Sequence, residues 1–115
     1  MKLAIVGSRG IKDANIGELL AMYQLQPSTI ISGGARGVDQ CAANFAKANG
    51  IELLVFKPDY QKHLQGAPIR RNELIARECD TLLAIWDGES KGTKHVYQYA
   101  QKIGKKVILH TPNCY

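Results

Sequence analysis

Five short apolar runs with little polar alternation, separated by stretches of helical periodicity, constrain this 115-residue chain more than any other feature. They lie at residues 3–6, 29–32, 51–56, 81–86 and 106–110. A strand with one face in water alternates apolar and polar residues, whereas a run that is apolar throughout predicts a strand covered on both faces. Between the first two runs, Ile16, Leu19, Leu20 and Tyr23 recur at helical spacing, and Pro27 closes the segment. After the second, Val38, Cys41, Ala42, Phe45 and Ala46 form a stripe at i, i+3, i+4, i+7 and i+8, and Gly50 is a natural C-terminal stop. Residues 57–67 read as a long polar loop carrying Tyr60 and His63. Pro68 then marks a first helical turn, with Asn72, Ile75, Ala76 and Cys79 on one face. Gly92 and Thr93 open a last helix, with Val96, Tyr99, Ala100 and Ile103 expected inward. Strands and helices in this alternation predict an α/β domain, doubly wound, with a mainly parallel five-stranded sheet and helices on both faces.

A chain of this length holds one core, so residues 1–115 are expected to form a single domain whose motifs serve one site. Hydrophobic residues at 45% and charged residues at 22% suit a soluble globular protein, and no apolar run approaches the roughly 20 residues of a membrane span. The N-terminus is too quickly punctuated by Gly7 for a signal peptide, so the expected location is the cytoplasm. Cys41, Cys79 and Cys114 are odd in number and widely spaced, which indicates neither a disulfide framework nor a zinc site. No other metal-ligand cluster is visible. The net charge of +5 suits a phosphate-bearing partner, but the lysines of the last third serve equally well as solvated helix faces.

In doubly wound sheets, ligands bind beyond the carboxyl ends of the strands, where strand order reverses. Three strand-to-helix loops are unusual there: Gly7-Ser8-Arg9-Gly10, Ser32-Gly33-Gly34-Ala35-Arg36-Gly37, and Asp87-Gly88-Glu89-Ser90-Lys91-Gly92-Thr93. Glycines admit positive φ and close approach of a ligand, and the N-H groups of a following helix favour an anion, with Arg36 placed to add paired hydrogen bonds. The spacing is neither Walker A nor GxGxxG. Asp39 has two readings: a charge-dipole contact worth about 0.3–1 kcal/mol, or a carboxylate that orients Arg36 or Arg9 or accepts a ribose hydroxyl. Thr93 has the plain reading of an N-terminal cap. Asp87 and Glu89 are candidate acids or bases beside Asp39, and Asn72 stands out as an amide on an apolar face.

The stretches GSRG, SGGARGVD, APIRRNELI and WDGESKGTKH, in this order, resemble the SLOG superfamily and within it the compact YspA-like, YpsA-related branch. The glycine stretch also resembles DNA-processing protein A, and the GT pair resembles the Lonely Guy phosphoribohydrolases. The resemblance implies a Rossmann-like domain that binds a nucleotide or nucleotide-derived small molecule as a sensing or sequestering domain. The implied pocket takes in Gly7, Ser8, Arg9, Gly33, Gly34, Arg36, Gly37, Asp39, Arg71, Asn72, Gly92 and Thr93, with Ser32, Asp87, Gly88 and Ser90 from the same loops. Where the branch has PIRN this chain has PIRRN, leaving open whether Arg70 or Arg71 faces the ligand. Lonely Guy enzymes carry PGGxGTxxE; here Val96 stands at the glutamate position, so hydrolysis of a nucleotide N-glycosidic or phosphate bond would fall to Asp39, Asp87 or Glu89. A single-stranded DNA-binding role is the other alternative. No cofactor is evident, although phosphates would bring Mg²⁺ with them, and a homodimer is compatible with the resemblance.

Overall fold

The computed structural model describes residues 1–112; Cys114 lies outside them. The elements run β1 (Lys2–Gly7), α1 (Ile16–Met22), β2 (Thr29–Ser32), α2 (Val38–Ala48), β3 (Glu52–Val55), α3 (Tyr60–His63), a 3₁₀ turn (Leu64–Gly66), α4 (Ala67–Glu78), β4 (Thr81–Ile85), α5 (Lys91–Lys102) and β5 (Lys106–His110). The strands form one sheet in the order β3-β2-β1-β4-β5, and every neighbouring pair is parallel. This is the Rossmann-like α/β arrangement. From β1 the chain winds outward through β2 to β3, then crosses back to β4 beside β1 and winds the other way to β5. Strand order therefore reverses between β1 and β4.

Right-handed crossovers running in opposite directions put their helices on opposite faces. Leu3 and Ile5 of β1 pack with Ile16, Leu19 and Leu20 of α1 and with Val38, Ala42 and Ala46 of α2. Ala4 and Val6, one residue out of phase, pack instead with Ile75, Ala76 and Cys79 at α4 and with Val96, Tyr97 and Ala100 of α5. A period of two is thus present inside the apolar run, but both phases are apolar because both faces are covered. Full burial of Leu3, Ile5, Leu82 or Leu83 stabilises the fold by about 1.5–3 kcal/mol each. The edge strands differ: Val55 of β3 and Leu109 of β5 are exposed.

Several expectations change in detail. Of the loop expected over residues 57–67 only residues 57–59 remain, because Asp59 caps α3 by accepting the Lys62 N-H at 3.1 Å and the 3₁₀ turn then leads into α4. The N-terminal cap of α5 is Ser90, whose Oγ accepts the Thr93 N-H at 3.4 Å; Thr93 is inside the first turn. Tyr97, not Tyr99, is the buried tyrosine of α5, since it shares the face of Val96 and Ala100. The Tyr99 hydroxyl instead accepts from Arg77 Nε at 2.9 Å, and Ile103 caps the helix end with 38% of its surface exposed.

Candidate functional site

At the carboxyl end of the sheet, where strand order reverses, lies a cleft of about 420 Å³. Val6 and Gly7 line it at the end of β1, with Arg9 and Gly10 from the loop that follows. Gly33, Ala35 and Asp39 come from the β2–α2 connection, and Asp87, Ser90, Gly92, Thr93 and Val96 from the β4–α5 side. Pro68, Arg71, Asn72 and Ile75 on α4 complete it.

In the first two loops Gly7, Gly33 and Gly37 have a steric explanation before any ligand is considered, whereas Gly10 stands in open space. A Cβ on Gly7 would stand 2.5 Å from Val38 Cγ2 and 2.6 Å from the Ile85 carbonyl. One on Gly33 would stand 2.7 Å from Arg71 Nη1 and 3.0 Å from Asp39 Oδ2. Gly37 combines a φ of 74° with a backbone neighbour, the Arg9 carbonyl, 2.5 Å from where its Cβ would be. These glycines let one part of the protein approach another. At Gly88 and Gly92, by contrast, an added Cβ would meet nothing within 4 Å.

Over Gly33 sit the two buried charges of the cleft. Asp39 Oδ2 accepts the Ala35 N-H at 3.1 Å. Arg71 donates through Nη1 to the Gly33 carbonyl and through Nε to Asn72 Oδ1 at 2.9 Å. Burial raises the Asp39 carboxyl above its ordinary value, opposed by the Ala35 N-H and by the positive charges of Arg71 and Arg9. Burial likewise lowers Arg71; Asp39 acts against that shift and Arg9 adds to it. Asp87 is the opposite case: exposed, with Oδ1 accepting the Glu89 and Ser90 N-H groups at 2.8 Å each, it is held below the usual carboxylate value chiefly by those bonds. Trp86 Nε1 donates to the Ser90 carbonyl at 2.9 Å and fastens the same loop.

The open choice in PIRRN is thereby decided geometrically. Arg71 turns into the cleft, while Arg70 is exposed and pairs with Glu73 at 3.6 Å. Ten residues expected at the pocket line this cleft: Gly7, Arg9, Gly33, Asp39, Arg71, Asn72, Asp87, Ser90, Gly92 and Thr93. Ser8 and Ser32 lie beneath it, fully buried; Ser8 Oγ accepts the Asp87 N-H at 3.1 Å, and Ser32 Oγ accepts the Gly34 N-H at 3.3 Å. Gly34, Gly88 and Glu89 are exposed and outside the lining. Arg36 and Gly37 lie elsewhere, in a second cavity of about 550 Å³ beside the cleft, so the charges acting on Asp39 are those of Arg71 and Arg9 and not of Arg36. Tyr60 is outside the lining but near enough to act on the Arg71 charge. Sequence reasoning missed the apolar part of the lining: Val6, Pro68, Ile75 and Val96 read only as strand, cap and core residues. Among the described residues, no three His, Cys, Asp or Glu side chains are grouped to hold a metal ion, and no helix is long and apolar enough to cross a membrane.

Two comparisons bear on this arrangement. The sequence model of the YspA, cpYpsA-related SLOG family matches residues 1–63, which include the β1–α1 and β2–α2 loops of the cleft. The chain is also 33% identical over 118 aligned positions to the Gene 61 protein of Mycobacterium phage D29, an alignment covering 93% of this chain and 94% of that protein. With its reversed strand order, its glycine-built loops and these two matches, the chain belongs to the YspA, cpYpsA-related SLOG family.

Proposed function

We propose that the cleft binds a nucleotide or a nucleotide-derived small molecule, and that the chain works as a sensing or sequestering domain. One observation carries this reading: the cleft at the strand-order reversal is lined by both apolar residues, Val6, Pro68, Ile75 and Val96, and polar ones, Arg9, Asp39, Asn72 and Thr93. The apolar residues suit a planar base, and the polar ones suit ribose hydroxyls and exocyclic groups. Arg9 is exposed, and among the described residues its side chain makes no hydrogen bond or close ion pair, so it is available to a ligand. Membership of a SLOG family is compatible with this chemistry. Among the described residues no aromatic side chain lines the cleft, which counts against a single-stranded DNA mode built on base stacking.

A thermal-shift panel of mononucleotides, dinucleotides, cyclic nucleotides and ADP-ribose derivatives, with and without Mg²⁺, tests the reading. A selective upward shift is expected, with affinity reduced at least tenfold in Arg9→Ala. A twofold change or less in that variant would remove Arg9 from the site.

Hydrolysis of a nucleotide bond is a second reading, supported by the raised proton affinity of Asp39 inside the cleft. Glu89 is outside the lining, and Asp87 is committed to its own loop as a weakened base. Val96, which lines the cleft, has no acid-base chemistry. The hydrolase reading therefore rests on Asp39. Product analysis on any stabilising nucleotide tests it: turnover in wild type that Asp39→Asn abolishes supports it, and turnover unchanged by that substitution sinks it.

A further inference from the structure

The cleft and the second cavity share a wall, because Arg9 and Gly10 line both. Their electrostatics differ. In the cleft the charged lining residues are Arg9 and Arg71 against Asp39 and Asp87, a formal balance of zero, and Arg71 already donates to Gly33 and Asn72. The second cavity has Arg9, Lys12 and Arg36 with, among the described residues, no carboxylate in its lining, and the amides of Gln40 and Asn44 beside them. Among the described residues, none of these three cationic side chains has a hydrogen bond or close ion pair. The ridge between the cavities is held to α2 on its far side, where Cys41 Sγ donates to the Lys12 carbonyl at 3.3 Å. The N-terminus of α2 adjoins this cavity at Gly37 and has no side-chain cap.

Three cations without a close ion pair on one concave surface present an anion with a positive surface. A phosphate in the main cleft would instead meet the charges of Asp39 and Asp87. We propose that the ligand lies across the Arg9–Gly10 ridge, its nucleoside end in the main cleft and its phosphate end in the second cavity among Arg9, Lys12 and Arg36. This deepens the reading of the cleft as a nucleotide site and rests on it. Crossing the ridge requires an extended anion, so the ligand class is a nucleotide carrying two or more phosphates. Guanidinium groups match phosphate oxygens in paired geometry, and Lys12 adds a point charge.

The test is a titration of wild type and of the Lys12→Gln/Arg36→Gln double variant at fixed ionic strength. The probes are adenosine, guanosine and their 5′-mono-, di- and triphosphates. Both substituted positions are exposed, and an unchanged melting temperature checks that the fold is intact. In wild type, affinity is expected to rise at least tenfold from nucleoside to triphosphate for the preferred base. In the variant that rise should flatten to twofold or less, with nucleoside affinity within twofold of wild type. A variant that keeps the full gain from added phosphates overturns the proposed orientation and leaves the cleft reading standing. A wild-type protein that binds none of the eight probes overturns the polyphosphate assignment, and the cleft reading falls with it when the wider panel of dinucleotides, cyclic nucleotides and ADP-ribose derivatives also fails to bind.

Discussion

The β2–α2 and β4–α5 connections both lead from a parallel strand to a helix at the rim of the cleft, and they are built by different means. In the first, shape decides: Gly33 lies under the side chains of Arg71 and Asp39, and Gly37 lies against the backbone of the β1–α1 loop. In the second, polar side chains decide: Asp87 and Ser90 accept backbone N-H groups and Trp86 donates to a carbonyl, while Gly88 and Gly92 stand in open space. A loop closed by contact tolerates no added atom, whereas the loop closed by hydrogen bonds tolerates one at Gly92 but no lost acceptor, and Gly88 is held to glycine by its φ of 88° and not by a neighbour. The same residue type therefore has opposite meanings 55 to 59 residues apart, between Gly33 or Gly37 and Gly92.

That contrast is most exposed to failure at Gly37→Ala. An added methyl meets a backbone carbonyl that has no rotamer to escape into, at a φ that side chains rarely adopt. The expected loss is about 2–5 kcal/mol, combining backbone strain with overpacking, read by urea unfolding. A loss under 1 kcal/mol would mean that the loops are less tightly stacked than described. Gly33→Ala comes next: the neighbouring atoms are side-chain ends, which move at a cost of about 1–3 kcal/mol. Because those ends belong to Arg71 and Asp39, ligand affinity should fall more than stability does, and titration of the folded variant checks this.

Asp87→Ala removes the acceptor for two N-H groups at an exposed position, and solvent reduces the expected loss to about 1 kcal/mol or less. The folded-state value of Asp87 lies below its ordinary 3.8, so its contribution is present above that pH and is lost as pH falls through the lowered value. Unfolding curves at pH 7 and at pH 2 should accordingly converge for wild type and variant at the acid end. Gly92→Ala is the smallest effect. In open space on the first turn of α5, it should leave stability unchanged or raise it by about 0.5 kcal/mol, and a clear loss there would break the contrast.

Much of this architecture is legible without coordinates because parallel strands buried on both faces leave an unmistakable apolar signature. The bounds of β2 and β5 follow directly from it, and the site falls at the strand-order reversal as such sheets dictate. What the sequence leaves open depends on direction. Arg70 and Arg71 are adjacent letters, but a helix separates their side chains by about 100°, so one reaches solvent and the other the cleft. Arg36 reads as a partner of the glycines around it, yet Gly37 turns the chain so that Arg36 faces the second cavity. The apolar part of the lining is silent for a different reason: Val6, Ile75 and Val96 keep the periodicity of core residues and are buried as such, reaching the cleft only at its floor. Tyr97 and Tyr99 show the same limit, since two residues, about 200° of helical phase, separate a buried ring from a half-buried one.

The central claim is that the cleft takes a nucleotide-derived ligand, and native mass spectrometry of the protein as purified, followed by titration with the nucleotide panel, tests it most directly. The account predicts an adduct whose mass corresponds to a phosphorylated nucleoside derivative, retained by wild type and lost in Arg9→Glu. A folded protein that carries no adduct and acquires none from any member of the panel would contradict it.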